Sequence, residues 1–514
     1  MSNGSFRDAN RFAPDLKEET KRSLQAAARF ACSTQHRDGY WETPPDPRIF
    51  DTAIVSLCLA KTRSGASIAV ERARQWLMNA VPQCHDPVVT ALEEWLRALA
   101  LGAEKKPAPN LSSTNRTWSG RVLLVESISV IENCPSSDAA HLLDIVRALR
   151  GKKVKQWQRT LLAAAEIIAD ASLGNSIPRN AVTNLVAEQR TDGGFCLMPS
   201  VSALACIALL TANEHEAARN CLTNLLENQC ADGTWRYPPF DIWDTALMVR
   251  SLRGYRLFDE KSLGAALSFV ERTQSDDGGW ACKRGLESDN DTTGAALLAL
   301  AGTAAGRRAT SRAVDYLRRV QRDDGLWMTW QSADDVPSPD VTAHVVSAAT
   351  THSMTSLDTS RAVRWLVRQY EEAGWTAHWY PTQSYAVREI SAAVGIDHKT
   401  SRRAAQGLIS QQRADGGWPA FDHDSSSSAA ATGLALSVLA RSKETPDQVL
   451  RNAANFLIGN QNDRGTWAGS PLMAGPRPLL NHYPSHTHAF ASTGLHDFSK
   501  FAFDTERDDA LGQL

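Results

Sequence analysis

The sequence predicts an all-α protein built from two α/α barrels, in which inner helices are surrounded by outer ones. Three observations predict it: a short motif recurs along the chain, its copies are almost evenly spaced, and helical hydrophobic patterns flank each copy. The chain of 514 residues is long enough for two such barrels, and its 43% of hydrophobic residues can fill both cores.

The recurring motif is a glutamine, two variable residues, Asp-Gly, one variable residue and an aromatic ring. It is complete at QHRDGYW (35–41), QRTDGGF (189–195), QCADGTW (229–235), QSDDGGW (274–280), QRDDGLW (321–327) and QRADGGW (412–418), and altered at QYEEAGW (369–375) and QNDRGTW (461–467). From residue 229 onward, successive copies lie 45, 47, 48, 43 and 49 residues apart. This spacing is typical of a two-helix repeat.

Each copy of the motif lies between two helices of different character. The helix before it is amphipathic, as in KSLGAALSFVERTQ, and the Asp-Gly turn ends that helix because glycine tolerates positive φ. A more apolar helix follows, such as DTALMVRSL from Asp244 or DTTGAALLAL from Asp291. We expect the apolar helices to form the inner ring of a barrel and the amphipathic helices to form its outer ring.

The distribution of the motif predicts where the two barrels lie in the chain. The regular copies place residues 216–514 in one barrel, to which residues 1–25 contribute a helix. Residues 26–215 hold the remaining copies and a less regular helical stretch, so we assign them to a second, inserted barrel.

Composition excludes several classes of protein. A net charge of −2 and a pI near 6.7 give no field that would attract nucleic acid. No apolar run reaches the ~18 residues of a membrane span, and we expect no signal peptide because the first residues lack an apolar core. The nine cysteines are odd in number and irregular in spacing, which favours reduced thiols and a cytoplasmic location. The oligomeric state stays open.

One apolar helix begins with more carboxylates than a helix cap requires. The stretch LESDNDTTGAALLAL places Asp289 and Asp291 two residues apart, after Glu287, whereas other repeats show a single aspartate such as Asp244 or Asp340. We assign Asp291 to the shared capping position, which leaves Asp289 as the surplus. Two carboxyls this close cannot both ionise easily, so one can retain its proton and act as an acid. The alternative is a solvated acidic loop.

At this point the sequence resembles the class II terpene cyclases, the family of squalene–hopene cyclase and the copalyl diphosphate synthases. The repeats look like the family's QW repeats over nearly the whole chain, and Asp289-Asn290-Asp291-Thr292 lies where the family has its DxDD motif. The resemblance implies an active site in the cleft between two helical domains, with Asp291 as the proton donor. The third aspartate is Thr292 here, followed by Thr293. DxDTT is similar to bacterial drimenyl diphosphate synthases, which cyclise farnesyl diphosphate.

The resemblance also implies a reaction. The terminal alkene of a prenyl diphosphate is protonated and two rings close, while the diphosphate is retained. Asp289 would orient the acidic proton of Asp291, and Thr292 and Thr293 would donate hydrogen bonds to the resulting carboxylate. The chain has no DDxxD motif, in agreement with a reaction that does not begin by ionising the diphosphate. Geranylgeranyl diphosphate is the alternative substrate, and squalene is a less favoured one.

A carbocation cascade needs a cavity lined by aromatic faces, each of which contributes roughly 0.5–2 kcal/mol to a nearby cation. We expect the tryptophans of the repeats to be structural. The candidates for substrate binding lie outside the repeats, with core packing as the alternative for each: Trp330, Trp379, Tyr385, Phe421 and Tyr483.

The resemblance places the diphosphate and Mg²⁺ at the inserted barrel. Magnesium prefers carboxylates, and HDPVVTALEEWL carries Asp86 and Glu93 seven residues apart on one helix face. Lys155 and Arg159 are candidate phosphate ligands. A solvated helix face is the alternative for both pairs. The plant copalyl diphosphate synthases have a basic histidine where this chain has Ala163, so no terminating base is predicted.

Two other classes of protein have repeats of this kind. A protein prenyltransferase is also an α/α barrel, but it needs a zinc site of Asp, Cys and His, and no cysteine follows Cys282. A non-catalytic α/α-barrel scaffold would have no need of a second carboxylate at Asp289.

Overall fold

The computed structural model describes residues 12–62, 66–82, 86–111, 119–255, 258–475 and 477–503. Their regular structure is almost all α-helix, which confirms the all-α prediction. The helices are α1 (Pro14–Thr34), α2 (Ile49–Lys61), α3 (Ser67–Asn79), α4 (Pro87–Ala100), α5 (Ser119–Ile131), α6 (Ala139–Leu149), α7 (Gln156–Ser172), α8 (Arg179–Ala187), α9 (Pro199–Thr211), α10 (His215–Glu227), α11 (Asp241–Leu252), α12 (Glu260–Arg272), α13 (Asn290–Leu300), α14 (Ala304–Val320), α15 (Pro339–Thr351), α16 (Ser360–Ala373), α17 (Gln383–Val394), α18 (Lys399–Ser410), α19 (Ala429–Arg441), α20 (Asp447–Gly459) and α21 (Pro484–Phe503). Two short strands, β1 (Met473–Ala474) and β2 (Leu480–Asn481), pair antiparallel before α21.

The larger barrel closes as a ring of six inner helices. Helices α11, α13, α15, α17, α19 and α21 each pack against the next, and α21 returns to α11. Helices α12, α14, α16, α18, α20 and α1 pack on the outside of this ring. The inner α13 buries almost all its side chains, whereas the outer α12 buries only the stripe of Ala266, Phe269 and Val270. The predicted division into apolar inner and amphipathic outer helices is therefore confirmed.

The smaller barrel is less regular. Helices α2, α7 and α9 lie at its centre, and their side chains are buried on nearly all faces. The remaining helices from α3 to α10 pack around them. A separate hydrophobic core, which includes Phe195 of one repeat and Trp235 of the next, joins these helices.

We predicted that the smaller barrel begins after residue 25 and ends at residue 215. The two hydrophobic cores place both changes of barrel later in the chain. The repeat that ends at Trp41 packs into the core of the larger barrel, and the repeat that ends at Trp235 packs into that of the smaller one. Gln229 Nε2 donates to Ala69 O at 2.8 Å, which ties its repeat to α3. The chain thus crosses between the cores just after each of these tryptophans, and the predicted domain limits stay predictions.

The glutamine forms the same pair of hydrogen bonds in every repeat except 369–375, where Gln369 Nε2 donates to Glu372 Oε2. Gln274 Nε2 donates to Gly278 O at 2.9 Å and to Ala309 O of α14 at 3.0 Å. Trp280 Nε1 donates to Val270 O at 2.7 Å, so its indole ring covers the end of the preceding helix. At Gly278 φ is +93°, and a Cβ atom would lie 2.3 Å from a carbonyl oxygen of α14. Only glycine therefore fits this turn.

A threonine sets the register of each inner helix against the repeat before it. Thr293 Oγ1 donates to Asp289 O at 2.6 Å and accepts from Trp280 N at 2.9 Å. Thr52, Thr245 and Thr432 likewise accept from the backbone N–H of a repeat tryptophan, whereas Thr342 Oγ1 donates to Trp327 O. In this register Asp291 corresponds to Asp340, and Thr292 corresponds to the aspartates that precede Thr52 and Thr245.

Two further observations concern the described residues alone. None of their helices is long and apolar enough to span a membrane. Their eight cysteines all carry free thiols, and Cys84 lies outside the described residues.

Candidate active site

A cleft of about 1050 Å³ lies between the two barrels, next to the first turn of α13. Aromatic rings form much of its wall: Trp157, Tyr237, Phe240, Trp243, Trp330, Trp379 and Tyr380. The charged side chains of the wall are three cations and three carboxyls: Arg121, Lys155, Arg477, Glu287, Asp289 and Asp291. An apolar cleft with a few convergent ionisable groups is the usual form of a small-molecule site.

Asp289 is the cap of α13. Its backbone is extended, its Oδ1 accepts from Thr292 N at 2.6 Å, and its Oδ2 accepts from Thr292 Oγ1 at 2.9 Å. The prediction that Asp291 holds the capping position is therefore wrong by two residues. Asp291 is the carboxyl that capping does not require.

The carboxyl of Asp291 bonds to a histidine. Asp291 Oδ1 lies 2.6 Å from His344 Nδ1, and His344 lies on α15, the neighbouring inner helix. His344 Nε2 lies 3.1 Å from Glu389 Oε2 on α17. Among the described residues, Asp289 bonds to Thr292 rather than to Asp291. From the sequence we expected Asp289 to hydrogen-bond and orient the carboxyl of Asp291. In the structure His344 makes this contact instead.

Glu389 is anchored by two guanidinium groups. Arg250 Nη2 donates to Glu389 Oε2 at 2.9 Å, and Arg388 pairs with Glu389 Oε1. Glu389 is 2% exposed and His344 1%, so neither charge is hydrated. A buried carboxylate between two arginines holds a positive charge on the histidine beside it.

The environment sets the protonation state of each group. Burial, and then the charge of Asp291, raises the pKa of Asp289 to about 8. Burial also raises the pKa of Asp291, although His344 opposes that shift. Burial works against the imidazolium of His344, but the negative charges of Asp291 and Glu389 outweigh it and raise the His344 pKa to about 9. The guanidinium groups overcome burial and hold the pKa of Glu389 well below its ordinary value.

These shifts place a carboxyl with a raised pKa beside a cation. At neutral pH His344 is an imidazolium whose Nδ1–H donates to Asp291 Oδ1. The other oxygen of Asp291 can carry a proton on the cleft side. Burial keeps the acid neutral, while the neighbouring cation makes its proton easier to release. This is the arrangement that protonation of an alkene requires.

The sequence reasoning missed His344 and Glu389. A weak signal was present: His344 lies one helical turn after Asp340, in the same inner helix, where a polar side chain must find a buried partner. A second buried pair was missed too. His486 Nε2 lies 2.8 Å from Asp244 Oδ1, and His486 Nδ1 lies 3.0 Å from Tyr380 Oη in the cleft wall.

The two predicted threonines have different positions. Thr292 lines the cleft, but its hydroxyl donates to the cap Asp289 rather than to Asp291. Thr293 lies outside the lining and holds the backbone of Trp280. Three other inner helices use a threonine in the same way, so the structure gives Thr293 a structural contact and does not bring its hydroxyl to Asp291.

Of the predicted aromatic residues, the structure brings two to the cleft. Trp330 and Trp379 pack edge to face there, with ring centroids 5.4 Å apart. Tyr385 lies behind Tyr380, with ring centroids 4.5 Å apart. The other two predicted residues also lie outside the lining: Tyr483 donates to Pro238 O, and Phe421 stacks on His423. The structure therefore does not bring these three residues to the cleft.

Of the two predicted phosphate ligands, one lines the cleft and the other does not. Lys155 lines the cleft, with its Nζ 3.0 Å from Asp334 Oδ1 and 5.6 Å from the Trp330 ring centroid. Arg159 is half-exposed outside the lining, and its Nε donates to Glu188 Oε1 at 2.8 Å. Two further cations of the lining, Arg121 and Arg477, were not predicted.

The two predicted metal ligands have different surroundings. Asp86 is an exposed cap of α4 that accepts from Val88 N and Val89 N. Glu93 is buried, which raises its pKa to about 7. The described residues contain no group of three His, Cys, Asp or Glu side chains that could bind a metal. Mg²⁺ stays a prediction, and no step below passes through it.

Comparison with known proteins identifies relatives of both barrels. Residues 330–500 match the family model of the squalene–hopene cyclase C-terminal domain, and residues 161–326 match that of the prenyltransferase alpha-alpha toroid domain. A drimenyl diphosphate synthase of Streptantibioticus cattleyicolor is 27% identical over 68% of this chain and 71% of its own length. An ent-copalyl diphosphate synthase of Streptomyces sp. (strain KO-3988) is 28% identical over 48% of this chain and 49% of its own length.

A solved structure extends the likeness to the whole fold. The ent-copalyl diphosphate synthase from Streptomyces platensis superposes with a TM-score of 0.54 over 94% of this chain and 99% of its own length. Its sequence is 16% identical to this one, so the match concerns the fold alone.

Proposed function

The chain belongs to the class II terpene cyclases, and we propose that it cyclises a linear prenyl diphosphate by protonating its terminal alkene. One observation carries the proposal: the carboxyl of Asp291 lies in an aromatic cleft and bonds to the imidazolium of His344. A helix cap or a solvated acidic loop does not require a carboxyl paired with a buried imidazolium.

Asp291 transfers its proton to the terminal carbon–carbon double bond. The electron pair of the alkene forms the new C–H bond and leaves a tertiary cation. The next two double bonds attack in turn and close two rings. The rings of Trp243, Trp330, Trp379 and Tyr380 face this path and stabilise the cation by roughly 0.5–2 kcal/mol each.

His344 stabilises the carboxylate that remains after proton transfer. Its Nδ1–H donates to Asp291 Oδ1 before and after the step, and its positive charge is matched to the new anion. Glu389, Arg250 and Arg388 keep the imidazolium charged and fix its ring. The charge is in place before reaction, so little reorganisation is needed.

The cationic side chains of the cleft are suited to a diphosphate. Arg121, Lys155 and Arg477 come from both barrels and face the same space. Arg477 lies over the Trp379 ring, with its guanidinium carbon 4.9 Å from the ring centroid, which connects the cationic and aromatic parts of the wall. Squalene has no anionic group to pair with these residues.

We propose farnesyl diphosphate as the substrate and drimenyl diphosphate as the product. The support is the Thr292 of the DxDTT motif and the drimenyl diphosphate synthase among the relatives. Geranylgeranyl diphosphate, cyclised to a copalyl-type diphosphate, is the second candidate, because an ent-copalyl diphosphate synthase is a relative of similar identity.

The test is a set of incubations with purified protein. Farnesyl diphosphate, geranylgeranyl diphosphate and squalene are supplied separately with Mg²⁺, treated with phosphatase and analysed by gas chromatography–mass spectrometry. A bicyclic C15 alcohol from farnesyl diphosphate supports the proposal. A C20 product alone supports the second candidate, and no cyclic product from any substrate contradicts both.

A further inference from the structure

We infer that Glu287 is the base that ends the cascade by taking a proton from the bicyclic cation. The inference rests on the proposed function, but it holds for either prenyl diphosphate. Both substrates form the same two rings and leave the cation on the same ring carbon. Glu287 precedes the cap of α13 by two residues and lines the cleft.

Glu287 bridges the two barrels at the cationic part of the cleft. Its Oε1 accepts from Gln156 N at 2.9 Å, and Gln156 begins α7 of the smaller barrel. The residue before Gln156 is Lys155, a candidate partner of the diphosphate. Glu287 is thus held by one oxygen beside the cations, and its other oxygen makes no hydrogen bond among the described residues.

Removal of the proton requires a basic group in the cleft wall, and few are present. The carboxyls of the lining are Asp291, Asp289 and Glu287. Asp291 is the proton donor, and both oxygens of Asp289 accept from Thr292. No histidine lines the cleft in the described part of the chain. Glu287 is therefore the carboxyl that initiation leaves unused.

The other polar groups of the wall are less suited to this step. Burial raises the pKa of the Cys196 thiol to about 11, and that of Cys282 well above its ordinary value, so both are neutral thiols. The hydroxyl of Tyr380 accepts from Trp243 Nε1 at 2.7 Å and lies 3.0 Å from His486 Nδ1. Tyr380 is the strongest competitor, because His486 could relay a proton from it.

The position of Glu287 agrees with the direction of the cascade. The proton enters at the end of the substrate farthest from the diphosphate, where Asp291 and His344 lie. The last cation forms two rings away, near the diphosphate. Glu287, beside Lys155, lies where the cation ends, whereas the Tyr380 ring stacks on Trp243, whose ring centroid is 6.0 Å from that of His344.

The step balances without a further reactant. A C–H bond next to the cationic carbon breaks, its electron pair forms the ring alkene, and the proton passes to the free carboxylate oxygen of Glu287. Burial raises the pKa of Glu287, although the Gln156 N–H and the charges of Arg159 and Lys155 oppose it. A carboxylate with a raised pKa is a stronger base than a hydrated one.

Glu287→Gln tests the inference with little change of shape. The amide oxygen can still accept from Gln156 N, so the link between the barrels is retained, but the base is lost. We expect the wild-type alkene to fall by about 100-fold. The cation is then lost as isomeric alkenes or captured by water as a hydroxylated diphosphate, which mass spectrometry detects after phosphatase treatment. Glu287→Asp should restore the wild-type alkene at a lower rate.

Two control variants separate this role from the competitors. Glu188→Gln removes a carboxylate that pairs with Arg159 outside the lining and should leave the products unchanged. Tyr380→Phe keeps the aromatic ring that faces the cation and removes only the competing hydroxyl, so the wild-type alkene should remain the main product whatever happens to the rate. The inference is overturned if Tyr380→Phe diverts the products while Glu287→Gln does not. It is also overturned if folded Glu287→Gln protein makes the wild-type alkene at the wild-type rate, or consumes no substrate. If wild-type protein makes no cyclic product, the proposed function fails instead.

Discussion

Asp291 and Asp340 occupy the same position in consecutive repeats, yet they differ in their partners. Each lies two residues before the threonine that holds the repeat tryptophan. Asp340 Oδ2 accepts from His378 N and Trp379 N, both at 3.0 Å, and its Oδ1 accepts from Ser338 Oγ. Within the described part of the chain, Asp291 has no such backbone donors, and it bonds to the imidazole of His344 instead.

The difference shows how one repeat position serves structure in one place and chemistry in another. Three neutral donors fix the carboxyl of Asp340, so it organises the loop that carries Trp379. Asp291 faces one cationic donor and an apolar cleft, and burial there raises its pKa and so favours the neutral form that can give up a proton. The partner that the neighbouring helix supplies, rather than the aspartate itself, decides which role results.

Asp291→Asn is the variant with the largest expected effect on this comparison, because it removes the proposed proton donor. We expect cyclisation to fall by about 10⁴-fold, because an amide has no proton acidic enough for an alkene. Steady-state turnover of the preferred prenyl diphosphate measures the loss, and circular dichroism checks that the fold is retained. Turnover close to that of wild type would remove Asp291 from the mechanism.

His344→Asn tests whether the positive charge beside Asp291 contributes to catalysis. The asparagine amide can still donate a hydrogen bond toward Asp291, but the positive charge is absent. We expect kcat to fall by about 100-fold with little change in KM, because the charge matters mainly after the proton leaves. An unchanged kcat would mean that the hydrogen bond alone is sufficient and that the imidazolium charge has no role.

The pH dependence of kcat follows from the same histidine. Its pKa is raised from the ordinary 6.5 to about 9, so the imidazolium persists at neutral pH and is lost as pH rises through about 9. We expect kcat to fall by about tenfold per pH unit above that value. The stability that the imidazolium contributes is fully present below pH 6.5 and is lost over the same rise. A kcat that increases between pH 7 and 10 would contradict this assignment.

The smallest effect is expected for Asp340→Asn, the matched variant of Asp291→Asn. The amide oxygen can still accept from His378 N and Trp379 N, and the amide nitrogen can donate to Ser338 Oγ. We expect a loss of about 1 kcal/mol in the free energy of unfolding, with turnover nearly unchanged. Urea denaturation and turnover are measured together. If Asp340→Asn abolishes turnover as fully as Asp291→Asn does, the distinction between the two aspartates fails.

Much of the fold could be predicted because its signals are local. The repeat glutamines, the glycine turns and the apolar helices each depend on residues within one two-helix unit. The order of inner and outer helices followed from charge along single helices. The crossings between the two cores were harder to locate, because the repeats that end at Trp41 and Trp235 are alike in sequence and differ only in the barrel that receives their tryptophan.

The candidate site was predictable only in part. The DxDTT stretch, Trp330, Trp379 and Lys155 could be located from sequence, and all of them reach the cleft except Thr293 and Asn290. Tyr385 and Tyr483 were selected by the same reasoning as Trp330 and lie behind the wall. A count of aromatic residues outside the repeats does not show which way each ring points.

The sequence by itself determined the helices, their rings and the place of an unusual pair of aspartates, because periodicity and repeat spacing are properties of neighbouring residues. Only the tertiary structure decided that Asp291 meets His344, 53 residues away, and that Glu389 and two arginines hold the charge behind it. The same holds for Glu287 and Gln156, which lie on different barrels. Hydrophobic patterns specify which side chains are buried, whereas closure of the ring and docking of the barrels specify which buried groups face one another.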